Sequence, residues 1–429
     1  MKWGLLATLA ALPLQWYIIV TNPLLGAARL HQLAILAFAG IFFIRYKPHV
    51  IVPLRRQLGP FVLANVCMLT VWSAIQLYYG KLPVGPFQEF LYLGVFLAVG
   101  AFIYRARTDQ EGKAVELLRW TAATASVAVL VALSYSMLRN GVNPARVFAQ
   151  TISAGDPEIF QKQLFKTAFV GFGYDEETVR GNIRHEVFGA VLCAMYISAW
   201  AARSRPLRSP ALRVAYQFSM LMATVLLISS LSRSIIIAAA VWPMLSLFRS
   251  VRTFTLSARQ VVLAYVSLAF VALAAASGAG LVLWNRFTTD TSSYEARQGL
   301  YEQAFDSLGS YFLLGGVETE KASSHNFVLD ALLRGGIFVA LPAAVVVLSV
   351  VWTWLKLVSR LHLEPDWMLP VAAAFVLPIV RFVTSGGGLI NPVEWVTLGF
   401  IAGALAAHRY RPVAGVGAGA SYRSQPALI

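Results

Sequence analysis

Runs of about 20 apolar residues recur along the whole chain, separated by segments that hold most of its arginines and lysines. This alternation admits few folds. A helix rises about 1.5 Å per residue, so about 20 residues cross a hydrocarbon core of about 30 Å, and a backbone in hydrocarbon must satisfy its own hydrogen bonds. Composition agrees, since 58% of residues are hydrophobic, only 13% are charged and the mean hydropathy is +0.65. Soluble domains are far more polar. About twelve spans meet the length criterion, at 4–22, 29–44, 60–79, 88–104, 118–138, 186–202, 212–230, 234–248, 260–284, 326–355, 367–384 and 393–407. The expected fold is therefore all-α, a polytopic integral membrane bundle forming a single domain over residues 1–412. The tail 413–429, GVGAGASYRSQPALI at its end, has a composition that predicts disorder.

Basic residues gather in alternate loops, at 45–57, 105–113, 203–213, 249–260, 355–362 and 408–412. The positive-inside rule places these loops, and with them both termini, in the cytoplasm. Lys2 precedes an apolar run as in a signal peptide, but no small-residue cleavage site follows, so an uncleaved first helix is expected. The net charge of +15 is explained by topology and by attraction to anionic lipid, and nucleic acid is not an expected partner. Cys67 and Cys193 fall within expected spans, where they read as small core residues.

The opposite loops include two long ones, 139–185 and 285–325. Long loops in compact proteins usually carry function, which directs attention to the outer face. In the first loop, 155–169 reads as a short helix lying on the membrane, with Asp156 as N-cap and Pro157 at the first helical position. Arg180, Arg184, His185 and Glu186 then approach the next span. In the second loop, a helical spacing from Tyr294 to about Leu308 puts Arg297, Tyr301, Phe305 and Leu308 on one face. Arg233 is the lone charge in the tight outer turn ISSLSRSIII.

Arg180, Arg184, Arg233 and Arg297 are thus four outer guanidinium candidates, joined by Lys81 and Arg286. Guanidinium forks match phosphate oxygens and stay charged, so they can neutralise a diphosphate without a metal. The closely spaced outer acids, YDEET and VETEK, are of the kind that is ordinarily solvated, and neither a metal nor a cofactor is expected. Among the outer histidines, His31, His185 and His325, the last is the best candidate base, because Ser323, Ser324 and Asn326 around it can cap the following helix. Asp330 and Arg334, four residues apart, read as a structural ion pair.

At these residues the sequence resembles the O-antigen ligase and O-antigen polymerase superfamily of bacterial inner membranes. The resemblance rests on LSRSIII (231–237), RF (286–287), ARQGLYEQAF (296–305), LLGGV (313–317) and above all SHNFVLDALLRGGIF (324–338), in the family's order. It implies a GT-C-type glycosyltransferase bundle that needs no metal and works on the periplasmic side. The donor would be a glycan on undecaprenyl diphosphate, and in the ligase branch the acceptor is the lipid A-core oligosaccharide. On this resemblance His325 is the base that deprotonates the acceptor, Arg233 and Arg297 hold the diphosphate, and Arg180 or Arg184 takes the arginine before the sixth span. Lys81, Arg286, Tyr301 and Asn326 are further candidate substrate contacts. Tyr301 stands where the family commonly has tryptophan, and Glu186 about where members often have asparagine.

Three other functions compete: a polymerase of the same superfamily, a protein O-oligosaccharyltransferase and a solute transporter. The sequence argues against the transporter, since its spans look poor in central acids and in broken helices, Arg381 being the main buried charge. The topology has its own test. With the native cysteines replaced by serine, Lys81→Cys is expected to react with an impermeant maleimide in intact spheroplasts, and Arg208→Cys only after lysis; the reverse pattern would invert the orientation.

Overall fold

The structure, a computed structural model, describes residues 2–14, 18–22, 26–46, 52–108, 112–139, 141–156, 182–230, 232–253, 311–316, 326–384 and 392–409, together with residue 159 and scattered positions between 298 and 309. Its elements in chain order are α1 (Lys2–Ala11), strands β1 (Ile18–Asn22) and β2 (Gly26–Arg29), α2 (Leu30–Arg45), α3 (Val52–Tyr78), α4 (Val84–Arg107), α5 (Gly112–Leu118), α6 (Thr121–Arg139) and α7 (Pro144–Ala154). There follow α8 (Asn182–Ser204), α9 (Pro210–Ser229), α10 (Arg233–Arg252), α11 (Phe327–Ser359), α12 (Met368–Ala374), α13 (Val376–Thr384) and α14 (Pro392–Arg409).

Among the described residues, seven helices are long and apolar enough to cross a membrane: Gly59–Tyr78, Val84–Arg107, Lys113–Tyr135, Glu186–Ser204, Pro210–Ser229, Arg233–Arg252 and Phe327–Ser359. The chain is a polytopic membrane protein by this measure. The expected spans 29–44 and 367–384 appear as shorter apolar helices, and 260–284 lies outside the described residues. The first expected span, 4–22, is corrected. Its helix stops at Ala11, about 15 Å long at 1.5 Å per residue, because Pro13 lacks an N–H and its ring opposes a continuing helix. The β-branched run Ile18 to Thr21 then pairs antiparallel with Gly26–Arg29, a short hairpin in a fold that is otherwise all-helical among the described residues, as expected.

Helices α4, α8 and α14 form the centre, and every residue of α14 from Pro392 to Ala407 is buried. The outward faces are apolar too. Phe338, Leu341, Val345, Leu348 and Trp352 recur at helical spacing along α11 and are all exposed, as expected of a surface that meets lipid rather than water. Cys193 is buried, but Cys67 is exposed, so the latter is no core residue.

Glycine sets the closest approach in the centre. Gly399 and Gly403 are four residues apart on α14, and an added Cβ would lie 2.7 Å from the Phe96 carbonyl oxygen and 2.3 Å from that of Gly100. The matched advance of both numbers shows that α4 and α14 run parallel, backbone against backbone, in the small-residue packing that membrane helices use. Gly403→Ala is expected to force the helices apart at a cost of about 1–3 kcal/mol. Gly59→Ala, where nothing lies within 4 Å of the new carbon, is expected to be neutral or stabilising. Thermal unfolding of the two variants in detergent separates them, and equal melting temperatures would contradict the close packing.

Candidate functional site

Helices α4, α8, α10, α11 and α14 begin at one end of the bundle, where α3 and α13 finish. They meet around Gly189, whose absent side chain faces Leu377 of α13, Ile235 of α10 and Val393 of α14 at 3.6–3.8 Å. Just outward of that junction lies a layer of charge. Arg381 of α13 reaches Glu186 of α8 at 3.4 Å and Glu394 of α14 at 3.5 Å. The arginine is 7% exposed and Glu394 3%, while Glu186 is half-buried, so three helices are tied by a largely buried ion triad.

A second buried group sits beside it. Glu89 of α4, 2% exposed, accepts a hydrogen bond from Trp395 Nε1 at 3.2 Å. Arg334 of α11 lies within the electrostatic reach of both Glu89 and Asp330, and its guanidinium carbon is 5.7 Å from the Trp72 ring centroid on α3. Arg334 is thus attracted by an acid of another helix as well as by Asp330. Charges this far into a membrane protein are costly unless neutralised, and these stand opposite one another.

The helix that carries Arg334 is broken directly after it. Gly335 (φ −141°, ψ 16°) and Gly336 (φ 64°, ψ −166°) leave the helical region, and the segment 311–316 docks on the groups that the break frees. Gly316 N–H donates to the Arg334 carbonyl at 3.2 Å, and Ile337 N–H donates to the Phe312 carbonyl at 2.8 Å. Only glycine fits on either side: a Cβ on Gly315 would lie 2.4 Å from Gly335 N, and one on Gly336 2.0 Å from the Leu313 oxygen. Gly336 also has the positive φ that favours glycine. Tyr79, at the end of α3, donates from its hydroxyl to the Gly315 carbonyl at 3.3 Å.

The sequence-derived candidates fall around this layer. Lys81 is exposed in the turn after Tyr79, its N–H bonded to the Gln76 carbonyl at 2.8 Å. Arg233 opens α10 and is half-buried, behind the buried Ser230 and Ser232. Asn326 is the N-cap of α11, its Oδ1 accepting from Val328 N–H at 3.1 Å and Leu329 N–H at 3.2 Å. Tyr301 is half-buried on a helical backbone, while Phe305 on the same expected face is 61% exposed. Arg184 belongs to the first turn of α8. The positions Arg180, Arg286, Arg297 and His325, and nearly all of the expected 155–169 helix, lie outside the described residues.

Sequence reasoning missed Glu89, Glu394 and Trp395. Each acid is the lone charge near the start of an apolar run, and an ionisable residue in that setting is a site signal in itself. It also missed α7, although Asn143 caps it, Pro144 opens it and Gly155 closes it at φ 62°. The sequence matches no protein-family model and no curated protein.

Removing the cation from the triad leaves two acids uncompensated in a largely buried layer. Arg381→Ala is expected to cost about 3–5 kcal/mol, with Arg381→Lys retaining part of the stability. A melting temperature for Arg381→Ala within about 2 °C of the parent protein would show that the triad holds nothing together.

Proposed function

We propose that this chain is a membrane-embedded glycosyltransferase of the O-antigen ligase type, built as a GT-C-type bundle. It would transfer a glycan from undecaprenyl diphosphate to a sugar hydroxyl of the lipid A-core oligosaccharide, on the periplasmic side of the bacterial inner membrane. The observation that carries this reading is the convergence at one end of the bundle. Lys81, Arg233 and the capped start of α11, to which His325 is bonded through Asn326, all belong to the end that also holds the buried charge layer.

The chemistry is a single displacement. The acceptor hydroxyl gives its proton to the His325 imidazole, and its oxygen attacks the anomeric carbon of the donor. The bond from that carbon to the diphosphate oxygen breaks, and undecaprenyl diphosphate leaves with the electron pair. Arg233 and Arg297, with Arg180 or Arg184, stabilise the charge that develops on it. Inversion at the anomeric carbon follows from one backside attack.

The buried acids and the broken α11 also favour a second reading, the solute transporter, and they remove the sequence argument against it. Depth separates the two. Transporter sites lie near the bilayer midplane, about 15 Å from either edge of the hydrocarbon. Glu89, Glu186, Arg381 and Glu394 all lie within about two turns of their helix ends. The groups freed by the break at Gly335–Gly336 are taken up by the protein's own segment 312–316. A rim site supported by a charged layer suits a reaction at the membrane surface.

The decisive assay incubates purified protein with an undecaprenyl-diphosphate glycan and rough lipopolysaccharide, with and without EDTA. Product is expected in both arms. His325→Ala is expected to lower the rate about 10²–10⁴-fold with an unchanged melting temperature. Transfer only to a second carrier-linked glycan would identify the polymerase instead, and a requirement for added metal would defeat the arginine scheme.

A further inference from the structure

The segment 311–316 lies mostly on the surface, so a few contacts decide where it sits. Phe312 and Leu313 are 48% and 62% exposed, and Gly315 is its buried residue. Two backbone hydrogen bonds tie it to α11, at Arg334 and Ile337. Tyr79 ties it to α3. Its hydroxyl donates to the Gly315 carbonyl at 3.3 Å. Its ring lies against Gly316, where an added Cβ would come within 3.0 Å of Tyr79 Cζ and 3.2 Å of the hydroxyl oxygen. Gly316 also has a φ of 107°, so its backbone and the ring beside it both favour glycine. The second glycine of LLGGV is thus the seat of a side chain from another helix.

Tyr79 also begins the turn that carries Lys81. Gly80 N–H donates to the Leu77 carbonyl at 3.0 Å and Lys81 N–H to the Gln76 carbonyl at 2.8 Å, with Gly80 at φ 68°. These are the bonds of a Schellman motif, which stops α3 and fixes the backbone at Lys81. The Lys81 side chain is exposed. A lysine offers phosphate a point charge on a flexible stem rather than a rigid fork. The backbone from which it hangs therefore determines where that charge can act. Tyr79 attaches this backbone to α11, whose first turn is capped by Asn326.

We propose that Tyr79 is a positioning residue for Lys81. It fastens the end of α3 to the broken α11 through Gly315 and Gly316, and so holds the Lys81 ammonium where the diphosphate of the lipid carrier binds. The identity of that anion rests on the proposed transfer reaction. Tyr79 touches no reacting atom in this scheme and acts through the lysine that follows it.

The test measures binding of undecaprenyl diphosphate to the purified full chain by native mass spectrometry, beside kcat for transfer at saturating donor. Lys81→Ala is expected to raise Kd about tenfold, Tyr79→Ala about fivefold, and Tyr79→Phe, which keeps the ring, about twofold. The double variant Tyr79→Ala/Lys81→Ala is expected to bind within about twofold of Lys81→Ala alone, because both changes remove one interaction. The kcat of Tyr79→Ala should stay within about twofold of the parent value, whereas a merely structural loss would lower kcat and leave Kd unmoved. Hydrogen exchange at 312–316 and Ile337 is expected to be about tenfold faster in Tyr79→Ala and unchanged in Lys81→Ala. Tyr78→Phe, at an exposed neighbour, should leave every readout within about twofold. Multiplying effects in the double variant, unchanged exchange or unchanged Kd in Tyr79→Ala, or no binding by the parent protein would each overturn the assignment. The expected binding pattern without transfer by the parent protein would uphold the role of Tyr79 and reject the transfer reading.

Discussion

A backbone amide or carbonyl left without a partner in hydrocarbon costs several kcal/mol, and the rest of this structure is arranged around that penalty. Most of the chain meets it with uninterrupted helix. At Gly335–Gly336 the helix breaks, and the freed carbonyl of Arg334 and the N–H of Ile337 would be orphans if 312–316 did not supply Gly316 and Phe312 as partners. Gly315 and Gly336 let the two backbones come within bonding distance. The break thus fixes the segment 312–316, and Asn326 caps the start of α11.

The same economy governs charge at the two ends. Where α4, α8 and α14 begin, acids and arginines from different helices neutralise one another, as Glu186, Arg381 and Glu394 do. Where α4 and α8 finish, described arginines also lie over the rings of Tyr46, Trp367 and Trp242, beside the Arg249–Asp366 ion pair. An arginine over an aromatic face keeps its charge beside an apolar wall without needing a carboxylate. One end relies on ion pairs between helices, and the other adds aromatic faces to them.

Much of this was legible in the sequence, because span length and loop charge are direct consequences of bilayer thickness and potential. The helices at 84–107, 210–229 and 327–359 lie where hydropathy placed them, and the cap at Asn326 is a local hydrogen-bond preference that a short window reveals. The first span failed because a hydropathy count does not weigh Pro13 against its apolar neighbours. The partnerships of Glu89 with Trp395, and of Glu394 with Arg381, join residues far apart in the chain, and no local pattern carries that information. The RGG of α11 looked like part of a returning helix, yet only tertiary contact shows that it interrupts one.

Glu186 shows how the packing changes the meaning of a residue. Beside the resemblance it is a departure, an acid where asparagine is common. In the fold it answers a different need. Arg381 is buried, with Glu394 3.5 Å away. Glu186 adds a second carboxylate from the helix that also carries Arg184 in its first turn. The pairing therefore ties the start of α8, and with it a candidate diphosphate ligand, to the two helices on either side of the SGGGLIN segment. An amide would bond Arg381 more weakly than a carboxylate, because charge-assisted hydrogen bonds are roughly twice as strong as neutral ones. The acid at 186 thus goes with the arginine at 381, each residue making sense of the other.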